Sequence, residues 1–80
     1  MTLSKAILEF LTKKAKEAHV PQPKADDDLF KTGVLDSFTL VDLITIVEEE
    51  CEINVPDSDV IAANFQSIIA IGYYVESRRG

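Results

Sequence analysis

Cysteine, histidine and tryptophan are almost missing from this 80-residue chain, which has one Cys, one His and no Trp. A lone Cys51 cannot close an internal disulfide, and one thiol with one imidazole cannot assemble a zinc site of the usual kind. Glycine is sparse too, three in all, and none falls in a Gly-rich phosphate loop. No apolar run reaches membrane length. Lys13, Lys14 and Lys16 interrupt the first twenty residues, where a signal-type apolar segment would lie. No internal repeat or low-complexity stretch is visible. Basic residues are outnumbered eight to fourteen, giving a net charge of −6. Such a surface repels nucleic-acid phosphates and anionic lipid, so neither nucleic-acid binding nor membrane insertion is expected. A cytoplasmic location is the expectation from these absences.

What the chain does have is apolar mass, 46% of its residues. That suffices for one core, so a single domain over residues 1–80, acting as a monomer, is expected. The charge is uneven. Residues 1–24 hold five lysines and two glutamates, net +3, whereas residues 25–80 hold three basic and twelve acidic groups, net −9. An acidic body of this kind suits a partner with a basic surface.

Hydrophobic spacing then sets the elements. Over residues 3–18, Leu3, Ile7, Phe10, Leu11, Ala15 and Ala18 share one helical face, with Lys5, Glu9, Lys13 and Lys16 opposite. Pro21 and Pro23 should end that helix by Val20. Residues 20–36 read as a long connection pinned by Leu29, Phe30, Val34 and Leu35, with Gly33 allowing a positive φ. A second helix should run from about Ser37 to Glu50, capped by Asp36 or Ser37. Its core stripe is Leu40, Leu43, Ile44, Val47 and Cys51. Asn54 and Pro56 break the pattern. Asp57 or Ser58 should cap a short helix near 58–63, ended by Asn64, with Phe65 as a core anchor. Ser67 should cap a last helix over about 68–78, in which Ile68, Ile71, Tyr74 and Val75 recur with helical period. No strand alternation appears. The expected fold is all-α, a small four-helix bundle of three longer helices and one short helix.

The opposite side of the second helix is unusual. Phe38, Val41 and Thr45 form an outward strip flanked by Asp42, Glu48 and Glu49, a pattern suited to docking.

Little chemistry is available to this chain by itself. Read as a calcium loop, Asp26-Asp27-Asp28 would put Phe30 and Lys31 where an oxygen ligand and a glycine are required. No metal site is expected, and the carboxylate runs read as a solvated face. A serine nucleophile needs a base and an orienting group. The one imidazole, His19, lies at the end of the first helix before two prolines, and reads as exposed surface. No catalytic residue is assigned, and the chain is not expected to be an enzyme.

Ser37 therefore either starts a helix or is acted on by another protein. Its flanks favour the second reading. Leu29-Phe30-x-x-Gly33-x-Leu35-Asp36-Ser37-Phe38 resembles the phosphopantetheine attachment motif of acyl carrier proteins, and the resemblance continues through Glu48-Glu49-Glu50, Ile53-x-Val55-Pro56-Asp57 and the apolar last helix. It implies an acyl-carrier-like bundle in which Ser37 takes a covalent 4′-phosphopantetheine arm from coenzyme A, and Asp36 supports that modification. It also implies a thioester cargo, acyl or aminoacyl. The implied partners are a phosphopantetheinyl transferase, a loading enzyme and a downstream synthase or transferase. A phosphodiester at a helix start would meet free amides and the positive dipole end.

Within that family, modular peptide synthetases usually show Gly-Gly-His-Ser or Gly-Gly-Asp-Ser, whereas this chain has Gly33-Val34-Leu35-Asp36-Ser37. Fatty acid carriers typically have an acid two residues after the serine, where this chain has Thr39, and Phe38 replaces their usual Leu or Met. The "ANFQSI" junction is similar to freestanding carriers of specialised polyketide, nonribosomal peptide or related pathways. D-alanyl-type and fatty acid carriers are the alternatives. An unmodified acidic helical adaptor is the alternative of a different class.

Overall fold

The computed structural model describes residues 3–79. Ser4 Oγ accepts from the Ile7 amide at 3.3 Å and opens α1 (Lys5–Glu17). Ile7, Leu11 and Ala15 from this helix are buried, with Leu3 just before it. Ala18, expected on the same face, is exposed at the C-cap of the helix. The stop comes before the prolines. His19 adopts φ +59° and donates to Lys16 O at 3.1 Å, while the Val20 amide donates to Ala15 O at 3.0 Å. That pair of bonds is a Schellman close, with histidine where glycine is commonest.

The connection that follows is held by hydrogen bonds as well as apolar anchors. Leu29, Val34 and Leu35 are buried and Phe30 is half-buried. The Leu29 amide donates to Gln66 O at 2.7 Å, and the Ile69 amide donates to Ala25 O at 3.0 Å, so the segment is stitched to the C-terminal third. Asp27 Oδ2 accepts from the Lys24 amide at 2.8 Å, and Asp28 Oδ1 accepts from the amides of Phe30 and Lys31 at 3.0 Å each. Two of the three aspartates expected on a solvated face are thus turn caps. Gly33 has φ +90°, a conformation that side chains rarely adopt.

Helix α2 (Ser37–Cys51) buries Leu43 and Val47 completely. Leu40, Ile44 and Cys51 flank that pair and are half-buried. Glu52, at φ +54°, ends the helix two residues before Asn54, so the break does not wait for Asn54 or Pro56. The short helix expected near 58–63 is divided in two, a 3₁₀ turn at Asp57–Asp59 and α3 (Ala62–Phe65). Neither Asp57 nor Ser58 caps a helix there, and Asn64 lies inside α3. Its Nδ2 donates to Asp59 O at 2.8 Å and joins the two pieces. Helix α4 (Ile68–Arg79) starts with the Ala70 amide donating to Ser67 Oγ at 3.0 Å. Ile71, Tyr74 and Val75 enter the core, whereas Ile68 is half-buried.

The result is four helices, three of them long, around one apolar centre, with no strand among the described residues. Phe65 is fully buried and lies 5.2 Å from the Tyr74 ring, centroid to centroid. No described helix is long and apolar enough to cross a membrane.

Candidate functional site

The start of α2 is built by a reciprocal cap. Asp36 Oδ1 accepts from the amides of Phe38 and Thr39, both at 2.9 Å. In return the Asp36 amide donates to Thr39 Oγ1 at 2.7 Å. This capping box leaves Ser37 as the first helical residue, exposed, with its hydroxyl outside all of these bonds. Of the two candidate caps, Asp36 is the one used. The two donated amides hold its carboxyl below the usual carboxylate range, the Thr39 amide contributing most.

One expectation changes here. A phosphate on Ser37 would not find the first-turn amides of Phe38 and Thr39 free, because the Asp36 carboxylate already occupies both. The helix dipole remains, but the amide cradle that often binds anions at helix starts does not. A group attached to this hydroxyl is therefore tethered by its covalent bond and free to extend into solvent.

Thr39 is the residue that motif reading passed over. Its position two after the serine looked like a departure from an acidic pattern, yet it supplies the returning half of the capping box. The Asp-x-x-Thr spacing is the signal that identifies it.

Along α2, Phe38 is 83% exposed and Val41 61%. Thr45 is exposed, and its hydroxyl donates to Val41 O at 3.1 Å. Asp42 and Glu49 are exposed beside this strip. Glu48 behaves differently from a solvated rim. It is half-buried, and its Oε2 accepts from the Val55 amide at 2.9 Å, tying α2 to the segment that follows. By helical phase Ser37, Val41, Ile44 and Glu48 follow one another down one side of the helix. The last three line an open groove whose far wall includes Val55 and Val60. Ser37 lies about one helical turn before Val41 and does not itself line the groove.

Other polar groups do not gather into a reactive centre. His19 is exposed in its helix-ending role. Cys51 is half-buried, and burial pushes its thiol up, away from the reactive thiolate. Among the described residues no group of three or more His, Cys, Asp or Glu side chains is placed to hold a metal ion.

Comparison with protein families matches residues 9–71 to the phosphopantetheine attachment site. A search among curated proteins finds no match. The matched span covers most of the chain and includes the connection, all of α2 and the turn into α4. Ser37, at the start of α2 and within the matched span, is exposed and its hydroxyl lies outside the capping bonds. The chain belongs to the phosphopantetheine-binding acyl carrier family, whose members hold covalently bound 4′-phosphopantetheine and serve as non-catalytic carriers.

Proposed function

We propose that the chain is a freestanding carrier that holds acyl or aminoacyl intermediates on an arm attached at Ser37 and presents them to enzymes of a specialised polyketide, nonribosomal peptide or related pathway. The observation that carries the attachment point is the exposed Ser37 hydroxyl, first in α2 and unused by the cap beside it. When bound, the arm supplies a terminal thiol that takes its cargo as a thioester. The protein's residues do the rest. Asp36 and Thr39 fix the start of the helix, so the hydroxyl is offered in one orientation. Ionised Asp36 keeps the junction polar and open to the transferase.

The outward strip of Phe38, Val41 and Thr45, with Asp42 and Glu49 beside it, lies within about three and a half turns of Ser37. A transferase or loading enzyme that reaches the arm also meets this strip. Basic groups on that enzyme would pair with the carboxylates, and an apolar recess would take Phe38.

Intact mass spectrometry tests the attachment. Incubation with coenzyme A and a broad-specificity phosphopantetheinyl transferase should add one arm to the wild type and none to Ser37→Ala. Because Asp36 rather than Ser37 is the cap, the alanine variant should fold with stability within about 0.5 kcal/mol of wild type. An arm added to folded Ser37→Ala would show that another residue is the attachment point. An unmodified wild type under conditions that load a control carrier would favour the helical adaptor.

A further inference from the structure

Among the described residues six large apolar side chains are exposed. Phe38 and Val41 belong to the α2 strip already described, and Ile61 lies just before α3. Leu8, Ile69 and Tyr73 line a different recess of about 390 Å³ between α1 and α4. Tyr73 is 65% exposed at its mouth. No α2 residue lines this recess. Its Leu3 and Gly72 end adjoins a second hollow shared with Glu50 and Cys51, at the end of α2 remote from Ser37. The recess is therefore separate from the attachment site.

On its α1 side the recess adjoins a groove that is net basic, unlike the rest of the chain. Leu8 also lines this shallow groove along α1 with Lys5, Glu9, Lys13 and Lys16; Glu9 pairs with Lys5 at 3.8 Å, and the three lysines leave the groove net positive. Lys5 and Lys16 lie near one line on the helix surface, about 16 Å apart at the α-helical rise, with Glu9 between them and Leu8 to one side. Residues 1–24 carry net +3 while residues 25–80 carry net −9. An acidic partner is thus repelled by most of this chain and attracted to α1. Apolar anchors beside a lysine row match an amphipathic segment with one apolar and one acidic face.

We infer that the α1–α4 face, through Leu8, Ile69 and Tyr73 with Lys5, Lys13 and Lys16, is a second docking surface for an acidic amphipathic segment of a partner protein. A carrier held there keeps Ser37 and the α2 strip free, so one partner can retain the protein while another works on the arm. The two surfaces have opposite charge and recruit different partners.

A synthetic helical peptide with leucines on one face and glutamates on the other provides the probe. It is titrated into the full-length ¹⁵N-labelled chain at low and high salt. Amide shifts should centre on Leu8, Ile69 and Tyr73, and binding should weaken as salt rises. Lys13→Glu with Lys16→Glu should weaken binding about tenfold or more at low salt and remove most of its salt dependence. Tyr73→Ala should also weaken binding about tenfold, with the salt dependence kept. Ser37→Ala should bind like wild type, which separates this surface from the attachment reading. The inference is overturned by shifts centred on Phe38 and Val41, by equal binding of the charge-reversed variant, or by no saturable binding at low salt. Binding to anionic lipid vesicles in place of the peptide would overturn it as well, by making the face a membrane reader.

Discussion

Leu43 and Val41 sit two residues apart on α2 yet face opposite surroundings, so their alanine variants test the orientation of the helix that carries Ser37. Leu43 is 0% exposed within the core, whereas Val41 is 61% exposed. Leu43→Ala removes buried carbon and leaves a cavity beside Val47 and the other core side chains, a loss of about 2–5 kcal/mol. At roughly 0.05–0.15 kcal/mol per residue, a domain of this length has a total stability of about 4–12 kcal/mol. At the midpoints of these ranges the variant forfeits roughly two-fifths of it. With about 4–8 °C per kcal/mol for domains of this size, Tm should fall by about 8–40 °C. Val41→Ala removes methyl groups already largely in water, and alanine's better helix propensity offsets part of that loss. Its net effect should stay within about 0.5 kcal/mol. Thermal melts followed by helical circular dichroism, with urea titration as a second measure, read both. A larger loss for Val41→Ala than for Leu43→Ala would mean that α2 is rotated by about half a turn, and with it the proposed docking strip.

Three further outcomes follow from particular residues. His19→Gly should stabilise the chain by about 1 kcal/mol in a urea melt, because φ +59° costs an L-residue and not glycine; a destabilised variant would show that the imidazole makes a needed contact. Tyr74 is buried, and burial, with the 2.7 Å bond it donates to Asp59 Oδ2, pushes its hydroxyl up to about 12. The raised value means that its stabilisation is fully present below about pH 10, the unfolded value, and is lost as pH rises through about 12; Tyr74→Phe should remove that loss and the matching step in tyrosinate absorbance, and a step that persists would belong to another group. Reversing Asp42 and Glu49 to Lys should slow loading by the cognate enzyme and flatten its salt dependence, while Phe38→Ala weakens the complex and leaves that dependence intact; unchanged kinetics in both variants would place docking elsewhere.

The periodic parts of the fold were legible in the sequence, since apolar spacing alone puts Ile7, Leu11, Leu43, Val47, Ile71 and Val75 inside. Helix ends were less so. His19 and Glu52 take left-handed conformations that residue type does not announce, and the visible prolines drew attention to stops that the backbone had already made. The segment from Val55 to Asn64 was the hardest, because tertiary bonds shape it: Glu48 to the Val55 amide, Asn64 to Asp59 O, and Tyr74 to Asp59 Oδ2. None of those pairs is adjacent in sequence. At the start of α2 the family was legible from the motif around Ser37, but the role of Thr39 required the capping box. Glu48 shows the converse limit, a carboxylate that composition assigns to solvent and geometry assigns to holding the groove wall.

That use of Glu48 constrains how this helix can meet a partner. Reversing its charge would break the Val55 bond and disturb the groove wall, so a loading defect in Glu48→Lys would mix docking with structure. Asp42 and Glu49 have no such second role in the hydrogen bonds described, and they isolate the electrostatic contribution. The same separation applies at the start of α2. Because the Asp36 carboxylate occupies the Phe38 and Thr39 amides, the helix keeps its cap whether or not Ser37 is modified. A phosphodiester on Ser37 would then stand near a carboxylate of the same sign, with those two amides unable to clamp it. The proposed arm gains its mobility from that arrangement. Its destination is set by the surfaces around it, the acidic strip on α2 and the lysine row on α1, and salt should weaken recruitment at both while leaving the covalent attachment untouched.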